Sequence, residues 1–363
     1  MEANQRKRKK EIENTEEDRL SELSDCLLHH IFSFTDAADV VRTCILSQRW
    51  RYLWISHPNL NFNFNNFSRV ISSKRSYFIN FIHQVLLRRN SVPVHSFHYS
   101  LHSDVKSSVI QSWICYAVNH QVQHLTIDIR YLKIPLHLPH CLTRCTSLTT
   151  LELCCSPRSI KLPKTFELPS LKHLILDELE LEFFDGSIFS SCPNLETLKL
   201  AGLFSGVFDV SALNLKHFDF INTDRQVPFS NLEFVILAPK LMKFSYFGYP
   251  PGVLSFKNLS SLDQIEIDLP SIDDLAPVDA LKQMFALKAL RMLNAFHIAK
   301  AITLSPNVIQ VLSYVPALLN EHPSQLSNLK HLKLWSSKSS KKGSVILNYF
   351  LKSSPLLEIS YIK

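Results

Sequence analysis

A triplet of apolar residues spaced like Leu148, Leu151 and Leu153 recurs along this chain, and no other feature limits the possible folds as strongly. It returns as Leu171, Leu174, Leu176, as Leu195, Leu198, Leu200, as Leu215, Phe218, Phe220, as Leu241, Phe244, Tyr246, as Leu262, Ile265, Ile267 and as Leu329, Leu332, Leu334. A weaker copy precedes these at Val122, Leu125, Ile127, a degraded one is expected at Leu293, Phe296, Ile298, and a last one at Leu356, Ile359, Tyr361. First positions from Val122 to Leu262 are separated by 26, 23, 24, 20, 26 and 21 residues. The next two steps, 31 and 36 residues, are too long for the same unit, so residues 268–328 leave open one repeat or two.

Steps of about 20–29 residues with this spacing are those of leucine-rich repeats. Alternate side chains of a strand point to opposite faces, so the last two apolar positions of each triplet point into the stack. The residues between and beside them face outward together. They include His124, Thr126 and Asp128, Thr150, Glu152 and Cys154, His173, Ile175 and Asp177, then Thr197, Lys199 and Ala201. Further on come His217, Asp219 and Ile221, Lys243, Ser245 and Phe247, Gln264, Glu266 and Asp268, and finally His331, Lys333 and Trp335. No repeat can bury its apolar face alone, whereas stacking removes it from water at roughly 25 cal/mol per Å². The expected fold class is α/β: a short N-terminal three-helix module followed by an irregular leucine-rich-repeat solenoid, a curved parallel sheet with helices or loops on its convex side. The mixed outward face suits a protein partner better than a small reactive substrate. Candidate target contacts on it are His173, Lys199, His217, Lys243, Lys333 and Trp335.

With 363 residues, 46% of them hydrophobic, a chain of this size can bury about three quarters of its unfolded surface. No apolar run reaches the roughly 18 residues of a membrane span and no tripartite leader opens the chain, so a nuclear or cytoplasmic protein is expected. Eight scattered cysteines without a Cys-x-x-Cys pair agree with a reducing compartment. His137, His140, Cys141 and Cys145 could ligate zinc chemically, but their spacing matches no familiar finger and no metal site is assigned. Histidines 124, 173, 217 and 331 fall in separate repeats, which favours solvent or partner contact over a catalytic cluster.

The run Arg6 to Lys10 has the density of a nuclear import signal or a nucleic-acid tail, against the plainer reading of a solvated terminus. Its five charges account for most of the net +7, so the balance does not argue for nucleic acid. Six glycines build neither a Gly-x-Gly-x-x-Gly turn nor a phosphate loop, and no Gly-x-Ser-x-Gly elbow is present. No catalytic residue and no cofactor are assigned on this reading.

Residues 18–54 are punctuated differently. Ser24 suits a helix N-cap with Asp25 in the first turn, and Leu27, Leu28, Ile31 and Phe32 recur on one helical stripe. Thr35 and Asp36 interrupt. A second helix is expected over Ala37 to Cys44 with Val40, Val41 and Cys44 inward, and a third, capped by Ser47, carries Trp50, Leu53 and Trp54. Modules this small usually need a metal, disulfides or a partner, and here a partner is the economical inference.

At these residues the chain resembles the plant F-box proteins with leucine-rich repeats. The resemblance rests on Asp18, Arg19 and Leu20, on Leu23, Asp25 and the apolar stripe, on Val41, Arg42 and Thr43, and on Leu46 through Trp54. It continues through Leu60 to Phe64, a helix over Phe78 to Arg89, Val94, Phe97, Tyr99, Trp113 to Ile127 and the repeats, while Leu329 to Lys363 resembles the start of the family's FBD region and stops early. The expected domains are a disordered basic tail (1–17), an F-box (18–58), a linker with divergent first repeats (59–121), leucine-rich repeats (122–328) and last repeats with a truncated FBD-like region (329–363). Two departures are Ser24 in place of the usual proline and Phe34, Thr35, Asp36, Ala37 in place of a leucine-proline turn. Both fall in the adaptor-facing part of the motif and lower the adaptor affinity to be expected.

The resemblance implies a non-catalytic substrate receptor of a Skp-cullin-F-box ubiquitin ligase. Its helices would dock on a Skp-type adaptor, and through it a cullin and a RING protein, while the repeats hold an unknown target. Adaptor contacts are then expected from Leu20, Leu23, Leu27, Leu28, Ile31, Phe32, Val40, Leu46 and Trp50, some of which could instead fill the core between the helices. A repeat scaffold without any ubiquitin connection is the alternative, separated by whether the helices retain an adaptor.

Overall fold

The computed structural model describes residues 20, 22–71, 74–89, 91–101, 103–129, 132, 135–156, 160–181, 185–223, 232–271, 279–321, 326–335, 341–354 and 356–362. The basic run Arg6 to Lys10, with Asp18 and Arg19, lies outside them. The chain divides into two compact units, Met1–Phe97 and His98–Lys363.

The first unit opens with α1 (Asp25–Phe32), α2 (Ala37–Arg42) and α3 (Trp50–Leu53). Each start is held by a side-chain oxygen. Ser24 accepts from the Leu27 amide at 3.4 Å, Asp36 from those of Ala38 and Asp39 at 2.9 and 3.0 Å, and Ser47 from that of Trp50 at 3.3 Å. The second helix ends at Arg42 rather than Cys44. The Thr43 hydroxyl donates to the Val40 carbonyl at 2.7 Å, and Thr43–Ile45 tighten into a 3₁₀ turn. Leu28, Phe32, Val40, Trp50 and Leu53 form the core, with Leu23 and Trp54 packed against it. Then come β1 (Asn59–Asn63), α4 (Phe64–Val70) and α5 (Arg75–Arg88), joined by an aromatic cluster in which Phe62 meets Phe81 and Phe97 at 6.2 and 5.7 Å.

Strand β2 (Ser96–Leu101) crosses the division, and α6 (Ser107–Asn119) leads to β3 (His124–Ile129). Two short strands, β4 (Leu136–His137) and β6 (Ile160–Lys161), flank α7 (His140–Thr143) and β5 (Thr150–Cys155). The series continues with β7 (His173–Leu181), β8 (Thr197–Phe204), β9 (Val207–Ser211), β10 (His217–Asn222), β11 (Glu233–Leu237), β12 (Lys243–Phe247), β13 (Val253–Lys257) and β14 (Gln264–Asp268). Last are α8 (Asp279–Asn294), β15 (Ala301–Leu304), α9 (Pro306–Leu312), α10 (Pro316–Glu321), β16 (His331–Trp335), α11 (Lys341–Ser353) and β17 (Glu358–Ile362).

Strands β3, β5, β7, β8, β10, β12, β14, β15, β16 and β17 hydrogen-bond in that order, and every pair is parallel, as stacked repeats require. Most strands of this series from β7 onward are entered alike. The amide of the first triplet residue closes a turn on the carbonyl three residues back, as from Leu195 to Cys192 at 3.1 Å and from Leu241 to Ala238 at 3.1 Å. The next amide reaches the preceding repeat, as from Lys216 to Glu196 at 2.8 Å and from Met242 to Lys216 at 2.9 Å. Asn194 and Asn214 add side-chain bonds to the carbonyls of Pro169 and Pro193, at 2.7 and 2.6 Å. The last two triplet residues are buried in every strand of this series from β3 to β16, including β15, whose triplet is displaced in sequence.

Behind the middle repeats the chain returns as strands. β9, β11 and β13 form a second parallel sheet in the order β13, β11, β9, while helices return in the later repeats. Phenylalanines replace leucines here: Phe220 meets Phe204 at 4.9 Å, Phe234 at 4.6 Å and Tyr246 at 5.8 Å. Strand β7 carries an irregularity between Leu176 and Leu179, with Glu178 at φ 58°, opposite Gly202 at φ 154°. A Cβ on Gly202 would lie 2.0 Å from the Leu179 carbonyl oxygen, so glycine is required there.

Two repeats depart from expectation. Leu293 belongs to α8 and Phe296 follows it, both buried. The strand begins later, with Ala299, Ile302 and Leu304 as its triplet, and the Ala299 amide closes the turn on Phe296 at 2.9 Å. Among the described residues, β15 is the single strand of this sheet between β14 and β16. In β17, Ile359 and Tyr361 pair with Leu332 and Leu334 as the spacing predicts, but Leu356 is 93% exposed. The neighbouring Leu357 is buried in its place because the turn closes from its own amide to Ser354 at 3.1 Å.

Candidate functional site

The helical module presents one face and hides another. Leu27 and Ile31, four residues apart on α1, are 51% and 43% exposed, whereas Leu28 and Phe32, one residue further round, point inward. Leu20 and Leu46 are exposed as well, and Leu23 is half-buried against the core. Leu28, Phe32, Val40 and Trp50, expected as contacts, are core residues instead. Phe32 packs edge-on against Trp50 at 5.6 Å, which explains the inward turn of that half of the stripe. Three exposed apolar residues were not anticipated: Phe34, Ile45 and Tyr52. Phe34 sits in the sequence departure at residues 34–37, and Ile45 adjoins Leu46 on the 3₁₀ turn.

The surface is braced by Arg49, which bonds Asp25 at the start of α1 and donates to the Leu23 carbonyl at 2.6 Å. Below α1, the imidazoles of His29 and His57 meet edge-on at 5.4 Å, and Phe32 lies 5.6 Å from His57. Burial, reinforced by His29 and by Arg89, pushes the His57 pKa down to about 3. Arg89 donates to the His57 carbonyl.

The outward strand positions form continuous rows. One runs through His173, Thr197, His217, Lys243, Gln264, Ala301 and His331, and the next through Ile175, Lys199, Asp219, Ser245, Glu266, Thr303 and Lys333. The six expected target contacts therefore share one face but not one cluster. Lys199 lies between Ile175 and Asp219, far along the row from Lys333. Only Lys243, Lys333 and Trp335 come together, around a cavity of about 270 Å³ over β14 and β15. Lys243 pairs with Glu266 at 3.4 Å, and His331 with Glu358 at 3.0 Å.

At the other end of the face Ser100 donates to Asp128 at 3.2 Å and Thr126 to Glu152 at 3.3 Å. Burial holds the His98 pKa below its usual value, against the pull of Asp128 and Glu152. Of the residues considered for zinc, Cys141 faces Cys115, with sulfurs 3.3 Å apart, and among the described residues no His, Cys, Asp and Glu group has the geometry to hold a metal ion. No helix among the described residues is long and apolar enough to cross a membrane.

Two family profiles match where these surfaces lie. Residues 20–62 match the F-box domain, and residues 110–245 match the leucine-rich repeats of "FBD-associated F-box protein At5g56370". Similar proteins come from Arabidopsis thaliana. F-box/LRR-repeat protein 13 is 30% identical over 237 residues, covering 62% of this chain and 51% of that protein. F-box/LRR-repeat protein At1g55660 is 32% identical over 200 residues, covering 53% and 54%. F-box/FBD/LRR-repeat protein At4g26340 is 34% identical over 186 residues, covering 50% and 43%. The chain spans about half the length of the curated relatives it matches. With an F-box match over its capped helices and a repeat match over its parallel strands, the chain belongs with the plant F-box proteins that carry leucine-rich repeats of the FBD-associated type.

Proposed function

We propose that the protein is a substrate-recognition subunit of a Skp-cullin-F-box ubiquitin ligase, working in the nucleus or cytoplasm. The helices dock on a Skp-type adaptor, which brings a cullin and a RING protein, and the repeats hold a target protein. The reading rests on the exposed apolar side chains of the F-box helices, Leu27 and Ile31 first among them, on a module whose own core is already filled by Leu28, Phe32, Val40 and Trp50. Large apolar groups left outside a complete core mark a surface that a second chain covers. The chain itself makes and breaks no bond. It raises the effective concentration of a target lysine near a ubiquitin thioester carried by another subunit.

The direct contacts on this reading are Leu20, Leu27, Ile31, Leu46, Phe34, Ile45 and Tyr52, with Leu23 at their margin. The test is capture of a Skp-type adaptor by the full chain and by the double variant Leu27→Asp, Ile31→Asp. Each residue removes roughly 1.5–3 kcal/mol of burial when lost from a covered surface, so retention should fall by well over tenfold while amide exchange in the repeats stays unchanged. Adaptor retention equal to that of the parent chain refutes the assignment of this surface.

A further inference from the structure

The cavity on the repeat face owes its existence to two short side chains. In β15, Ala301 stands between Gln264 and His331, and Thr303 between Glu266 and Lys333, so the row dips where its neighbours rise. Trp335, 46% exposed, stands at one end of the dip. The charged residues that line the dip are two lysines, Lys243 and Lys333, and one carboxylate, Glu266, so its balance is positive. Glu266 is held by Lys243, and Glu358, outside the lining, contacts the His331 ring, so each of these carboxylates has a partner other than Lys333. Lys333 stands opposite Thr303 and Ser360, neither of which is charged, and among the described residues it pairs with no carboxylate. Asp268 follows Ile267 on the row of Trp335, two strands away. A volume of about 270 Å³ lies below the roughly 300–1,000 Å³ that drug-sized ligands occupy, so the dip has room for side chains rather than a whole cofactor.

We propose that this dip anchors the captured protein. It takes a carboxylate-bearing side chain on Lys333 and an adjoining aromatic or aliphatic side chain on Trp335, so the target class is a chain presenting an acidic residue beside an apolar one. The assignment rests on the reading of the repeats as the target-holding face. Tryptophan is enriched among the few residues that carry most of an interface's binding energy, and an unpaired lysine beside it selects the sign of what docks.

The experiment uses the full chain as bait for a displayed library of random peptides, with Lys333→Glu, Lys333→Arg and Trp335→Ala in parallel. The parent chain and Lys333→Arg should enrich peptides with Asp or Glu adjacent to Phe, Tyr, Trp or Leu. Lys333→Glu should turn the selection toward Lys and Arg. Trp335→Ala should keep the acidic preference, lose the apolar one, and bind a recovered peptide about tenfold more weakly by fluorescence anisotropy. No enrichment, enrichment without a carboxylate, or an unchanged selection in Lys333→Glu overturns the proposal. Adaptor capture by the same preparations keeps the two readings apart: a failed selection with adaptor retained sinks the anchor alone, and a parent chain that retains no adaptor sinks the ligase reading whatever the peptides show.

Discussion

At the scale of single residues, the apolar stripe of α1 shows what a sequence can and cannot tell. Leu27, Leu28, Ile31 and Phe32 are equally apolar and share a helical repeat, so their spacing identifies the helix but not which edge of the stripe faces inward. Trp50, contributed by another helix, decides it by packing on Phe32. The same core holds a pH dependence. His57 has its pKa lowered from 6.5 to about 3, so the folded protein keeps this ring neutral where the unfolded chain would protonate it. Its contribution to stability is complete above about 6.5 and is lost as pH falls toward about 3. Amide exchange at Leu28 and Phe32 should therefore accelerate from pH 7 to pH 5 beyond the intrinsic change, by the equivalent of about 2 kcal/mol at most. In His57→Gln that excess should shrink to the smaller part contributed by His29, whose pKa burial also lowers.

Among the elements, the parallel strands were the most legible because the repeated triplet has the period of the structure it makes. Where the chemistry of the triplet weakens, legibility fails. Ala299 stands at a leucine position before β15, while Leu293 and Phe296 imitate the spacing from within and just after α8. The return strands β9, β11 and β13 were also missed, although the alternate burial of Phe208 and Val210 is the strand pattern in miniature. Two substitutions test the element contacts. Gly202→Ala forces a Cβ into the Leu179 backbone at a positive φ and should destabilise the repeats by about 1–3 kcal/mol in urea unfolding. Phe220→Ala empties the centre of the aromatic cluster between the two sheets and should cost about 3–5 kcal/mol in the same measurement. Neither variant should alter adaptor capture under conditions where the repeats stay folded.

For the molecule as a whole, the two units carry separable tasks on the proposed reading. Lys199→Glu together with Lys333→Glu should weaken target capture about tenfold or more and leave adaptor capture intact. Loss of both activities would instead point to misfolding. The rows also impose a metric on whatever lies along them. Adjacent strands are spaced at about 4.8 Å, whereas like-facing side chains of an extended polypeptide recur at about 6.8 Å. The two scales act as a vernier, roughly coinciding once in seven strands, so a partner stretched along the array is gripped at isolated points rather than continuously. On the proposed reading, most outward residues then tolerate mutation at little cost to recognition, and relocating one grip while the ladder beneath is left untouched changes what is recognised.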